Sequence, residues 1–85
     1  MLRISRTESP GLAITLQLEG QVSGPWLEEL RQTCEQILAQ SARLSLDLSA
    51  VSFVSIDGVA LLQSLSRRHV VLVNCPPFVA EQLKG

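Results

Sequence analysis

The stretch Leu44–Leu62, LSLDLSAVSFVSIDGVALL, constrains the fold more than any other part of this chain. Leu44, Leu46 and Leu48 alternate with Ser45, Asp47 and Ser49, which is the period of a half-buried strand. Val51, Phe53 and Val54 carry the apolar character onward, Ser55-Ile56-Asp57-Gly58 interrupts it, and Val59-Ala60-Leu61-Leu62 opens a helix. A strand that runs directly into a helix presents unpaired backbone N–H groups and the positive end of a helix dipole. Function is therefore expected at this junction, and residues 55–58 decide its chemistry.

The flanking sequence supplies the elements that such a junction packs against. Leu2–Ser5 reads as a short strand and Glu8-Ser9-Pro10-Gly11 as a turn. From Ala13 to Leu18, Ile14, Leu16 and Leu18 alternate with Thr15, Gln17 and Glu19, so this strand closes a hairpin with the first. After a connection over Gly20–Gly24, Pro25 fits the first position of a helix, and Glu28 and Glu29 suit its first turn. That helix is expected to run to about Ser41, with Trp26, Leu27, Leu30, Cys34, Ile37 and Leu38 as its apolar stripe. The second helix is expected over about Asp57 to Arg67, with apolar residues on more than one side: it either packs on two sides or offers a face to a partner.

Arg67-Arg68-His69 caps the end of that helix, and Val70–Val73 follows as an uninterrupted apolar run. Such a run predicts a central parallel strand covered on both faces, or covered by helices on one and shielded on the other. Pro76-Pro77 ends it, and Phe78, Val79 and Leu83 are the anchors expected for a short last helix. The pattern is α/β: a mixed sheet of about four strands, two main helices on one face and a short C-terminal helix, all in one domain over residues 1–85.

Composition narrows the function classes. At 85 residues the fold buries only about 60–65% of its unfolded surface, and a 46% hydrophobic content is ample for that. A net charge of −1 from 7 basic and 8 acidic residues points to neither nucleic acid nor an anionic membrane surface. No window approaches the roughly 18 apolar residues of a membrane helix, and Met1–Arg6 lacks a signal peptide's apolar run. Cys34 and Cys75 match no metal or redox spacing, so both thiols are expected free in a reducing cytoplasm, Cys34 in the core and Cys75 in a turn. Cofactors and metals are not expected.

The residues also point away from catalysis. A hydrolase built on Ser55, Asp57 and His69 would have His69 about 18 Å from Asp57 along the second helix at 1.5 Å per residue, beyond reach of proton transfer. Gly58 alone is no phosphate loop, and Asp57 at the helix start would repel a phosphate.

Leu46-Asp47-Leu48-Ser49, Phe53-Val54 and Gly58-Val59-Ala60-Leu61-Leu62 resemble the signature of the STAS family, the anti-sigma factor antagonist-like domains. The family's pattern is a strand ending in Asp-Leu-Ser, an apolar pair, Asp-Ser-Ser-Gly or Asp-Ser-Thr-Gly, and a Leu-rich helix. Leu16-Gln17-Leu18-Glu19-Gly20 and Val71-Leu72-Val73-Asn74-Cys75-Pro76 resemble its second and last strands in the same order. The resemblance implies the α/β fold just derived and a non-catalytic, protein-binding regulatory module. Its partner surface would comprise Ser55, Ile56, Asp57, Gly58 and Leu61, docking onto an anti-sigma factor with a histidine-kinase-like ATPase fold or a larger signalling assembly. An alternative within the resemblance is the cytoplasmic accessory subunit of a lipid-transport ABC complex, where the domain contacts the ATPase. An apolar second helix in so small a domain leaves a homodimer open.

The departure from the signature is as informative as the match. Aligned on Gly58, the family's phosphorylated Ser or Thr falls on Asp57, with Ile56 and Ser55 in the two positions before it. A phosphoserine carries about −1.5 to −2 charge and three acceptor oxygens; a carboxylate has one charge and less bulk. Asp57 thus either mimics the modified state imperfectly and permanently, or acts as a first-turn acid that stabilises the helix by about 0.3–1 kcal/mol. Ser55 reads as the N-cap of that helix. Modification of Ser52 or Ser55 is left open by the sequence.

Overall fold

The computed structural model describes residues 2–11, 13–40 and 43–84. Among them, four strands and three helices follow in the order β1 (Leu2–Ser9), β2 (Ala13–Val22), α1 (Trp26–Ala39), β3 (Arg43–Val54), α2 (Ile56–Arg67), β4 (Val71–Val73) and α3 (Pro77–Lys84). The sheet order is β1-β2-β3-β4. The hairpin β1/β2 is antiparallel, while β2/β3 and β3/β4 are parallel, each parallel pair joined through a helix.

One face of the sheet carries the core. Ile14, Leu16, Leu18, Leu44, Leu46 and Leu48 are buried beneath the helices with Leu30, Cys34 and Ile37 of α1 and Leu62 and Leu65 of α2. Thr15, Gln17, Ser45 and Asp47 alternate onto the other face and are only half-buried. That inside-outside alternation is what a sheet with one covered face requires. Helix α2 packs between α1 and α3, so its apolar residues on two sides are used by two neighbours.

Four sequence expectations need correction. First, β3 does not stop at Leu48 but runs to Val54. Its buried residues fall at Leu44, Leu46, Leu48, Val51 and Val54, so the spacing lengthens from two to three. Register against β2 jumps from Gln17↔Asp47 to Glu19↔Ala50, and again from Gly20↔Val51 to Gln21↔Phe53. Each jump is a bulge that adds a residue to β3 and resets which side chain faces the core. The Asp47 carboxylate accepts the Ser49 N–H at 2.9 Å beside the first one. Strands β1 and β2 are likewise longer than their alternating segments, reaching Ser9 and Val22.

Second, β4 is not central. It is a three-residue edge strand paired only with β3, and Val71 is 55% exposed on the uncovered face. Val70, the buried first residue of the apolar run, serves the end of α2 instead: its N–H donates to the Leu65 carbonyl at 3.2 Å. Third, Phe78 is 43% exposed rather than an anchor of α3; Val79 is buried and Leu83 packs on the core. Fourth, α1 begins at Trp26 with Pro25 as its N-cap, and it ends at Ala39. Ser41 lies outside the described residues. Both cysteines are free, Cys34 buried and Cys75 half-buried.

Candidate functional site

The β3–α2 junction is held by Ser55. Its backbone is extended, and its Oγ accepts the Gly58 N–H at 3.0 Å, which is the geometry of an N-cap. The Ser55 N–H donates to the Val22 carbonyl at 3.1 Å, and the hydroxyl lies 3.4 Å from the same oxygen. One carbonyl at the end of β2 therefore ties down the start of α2, and the Ser55 side chain is engaged on both its donor and its acceptor side.

Gly58 is buried because the helix enters tight against that strand end. A Cβ there would lie 2.5 Å from the Val22 carbonyl oxygen and 2.9 Å from Val54 Cγ1. Glycine is thus required for backbone approach. With Gly58 inward, the two preceding residues point outward: Ile56 is 88% exposed and Asp57 is exposed in the first turn. Leu61, expected in the same surface, is half-buried and packs against the core beside it.

Exposed apolar surface extends from Ile56. Phe53, at the end of β3, is 50% exposed. A groove of ≈ 330 Å³ between α2 and α3 is lined by Ile56, Val59, Ala60, Gln63 and Gln82. Its walls are pinned by two side-chain bonds: Gln82 Nε2 donates to the Val54 carbonyl at 3.2 Å, and Gln63 Nε2 donates to the Leu83 carbonyl at 3.1 Å. Sequence reasoning placed neither Gln82 nor Gln63 at the site. Both glutamines report the docking of α3 on α2, which no local pattern encodes. Phe53 carried a signal, an aromatic residue two before the cap, but its outward direction depends on the second bulge.

Ser55 is occupied as a cap, and His69 lies beyond the far end of α2 from Asp57. Among the described residues no group of three or more His, Cys, Asp or Glu could hold a metal ion. None of the helices described is long and apolar enough to cross a membrane.

A hairpin is thus followed by two parallel crossovers, and a capped helix presents one exposed apolar residue and one acid at the junction. A family model described as "Mlab, STAS domain" matches residues 5–84. The chain belongs to the STAS domain family. Its fold is similar to the solved structure of the anti-sigma factor antagonist SpoIIAA in its unphosphorylated form, with a TM-score of 0.79 at 17% identity over 96% of this chain and 82% of that one. No curated protein matches it.

Proposed function

We propose that this domain is a non-catalytic regulatory module that binds a protein partner through the start of α2, with Ser55 and Gly58 fixing the surface and Ile56, Asp57 and Leu61 contributing to it. The observation that carries this reading is Ile56, an isoleucine left 88% exposed on a rigidly capped first turn. Exposed apolar side chains that continue into a groove mark interaction sites. The partner class that the family resemblance supplies is a kinase-type anti-sigma factor or a signalling assembly, met in the cytoplasm. Because Asp57 has no hydroxyl and the Ser55 hydroxyl is engaged as a cap, binding here is not switched by phosphorylation at the family's position.

The same two facts favour one second reading. A surface without a phosphoacceptor suits a permanent subunit contact, such as that of an accessory subunit with the ATPase of a lipid-transport ABC complex. Affinity capture from native extract, comparing wild type with Ile56→Glu, tests both. The first reading expects an ATPase of the kinase type, and the second expects a permease with its ATPase. In either case Ile56→Glu should lose the partner while keeping its unfolding midpoint, since the side chain is solvated. Undiminished capture by Ile56→Glu would remove the junction from the interface.

A further inference from the structure

At the pole of the molecule opposite the junction, the start of β3, the end of α1 and the turn after α2 line a half-open cavity of ≈ 570 Å³. Arg43, Arg68, His69 and Ser45 supply its polar wall, and Leu38 and Val71 are among its apolar residues. Among the described residues no carboxylate lines it. The nearest acid in the bonding pattern, Glu35, is paired with Arg68 from outside the cavity lining. That pairing engages Arg68 Nη1 and leaves other N–H groups of the guanidinium for a ligand. Arg67 follows the same helix end, while Glu28, Glu29 and Asp57 occupy the first turns of α1 and α2 at the other pole.

Basic residues at the C-terminus of a helix are ordinarily explained by the helix dipole. That account covers Arg67 and Arg68. It does not cover Arg43, which opens a strand and has no ion-pair partner among the described residues. Nor does it account for the backbone conformation of His69. The His69 N–H donates to the Ser66 carbonyl at 3.3 Å and the Val70 N–H to the Leu65 carbonyl at 3.2 Å, which is a Schellman ending with His69 in the left-handed position at φ 69°. Glycine is the favoured residue there, because a Cβ is penalised in that conformation. The chain instead keeps an imidazole on the wall of a cavity that already holds two guanidiniums.

From this convergence we infer that the cavity binds a small organic phosphate, a phosphomonoester carrying a short apolar group. Two guanidiniums, an imidazole and a hydroxyl offer more donors than one carboxylate can accept, and guanidinium forks match phosphate oxygens. Leu38 and the 55% exposed Val71 give the apolar group a wall. The volume lies in the range of small-molecule sites.

The test is a ¹⁵N–¹H NMR titration of the intact protein with inorganic phosphate and with n-butyl phosphate, at ionic strength held constant with chloride. Saturable shifts are expected at the amides of Arg43, Ser45 and Arg68–Val71, with n-butyl phosphate binding roughly tenfold tighter than inorganic phosphate. Arg43→Gln should weaken n-butyl phosphate about tenfold. His69→Gly should raise the unfolding midpoint and still weaken binding, which separates recognition from a structural role. Binding to phosphatidic acid vesicles tighter than to n-butyl phosphate would identify a lipid headgroup as the phosphate's source; weaker binding would identify a free ester. Shifts that do not saturate, that chloride reproduces, or that survive Arg43→Gln unchanged would overturn the proposal.

Discussion

Gly58 and Val22 meet backbone to backbone: a side chain at position 58 would place its Cβ 2.5 Å from the Val22 carbonyl oxygen. The same carbonyl accepts the Ser55 N–H at 3.1 Å, so the end of β2 fixes the height at which α2 starts. Gly58→Ala must push α2 outward, because the opposing atom is backbone and the next, Val54 Cγ1, is buried. The expected loss is about 2–3 kcal/mol, the upper part of the overpacking range, read as a lower midpoint in urea unfolding. A loss below about 0.5 kcal/mol, the scatter of neutral surface changes, would show that α2 is not seated as described.

Ser55→Ala removes the acceptor for the Gly58 N–H and should cost about 1 kcal/mol. Ser55→Asp keeps an acceptor and adds a charge suited to the helix start, so it should recover most of that loss. The pair distinguishes a cap from a site of modification. If the hydroxyl were needed as a phosphoacceptor, Ser55→Asp would change partner capture while leaving stability intact; a cap gives the reverse pattern for Ser55→Ala.

Asp57 stands at the second helical position of α2, exposed, with no side-chain partner among the described residues. If it acts only through the helix dipole, Asp57→Asn lowers stability by less than about 1 kcal/mol, and the difference shrinks with added salt. If it also stands in for a phosphorylated residue, Asp57→Ser changes partner capture far more than it changes stability. It also restores a hydroxyl that a cognate kinase can modify. Capture of the partner at equal strength by wild type, Asp57→Asn and Asp57→Ser would reduce Asp57 to a helix-start residue.

How much of this was legible beforehand follows from the range of each signal. The junction was readable because its determinants are local: the Ser55 cap, the exposed Ile56 and Asp57, and the close-packed Gly58 lie within four consecutive positions. The strand before it was readable only to Leu48, because the bulges opposite Leu18 and after Gly20 arise from pairing with β2 and erase the period of two. The edge position of β4 depended on sheet order. A valine run looks alike whether both its faces are covered or whether Val70 caps a helix and Val71 meets solvent. The groove between α2 and α3 was not readable for the same reason: Gln82 reaches the Val54 carbonyl 28 residues back along the chain.

Cys34 provides a test of the core on the pole away from the junction. Burial pushes its thiol up to about 11 from an ordinary 9.0, the nearby Arg68 opposing this only in part. Cys75 is raised by burial too, but it is half-buried. A thiol reagent should therefore modify Cys75 first and reach Cys34 only when the domain opens. The pH dependence follows from proton binding. Between 9.0 and about 11 the folded state holds the Cys34 proton while the unfolded state releases it, so stability is complete below pH 9 and declines as pH rises through that interval. Cys34→Ala should flatten the decline in unfolding midpoint between pH 9 and 11, at the cost of a small cavity. An equally steep decline in the variant would assign it to Cys75 or to general alkaline unfolding and would place Cys34 in a wetter environment than the core of this structure.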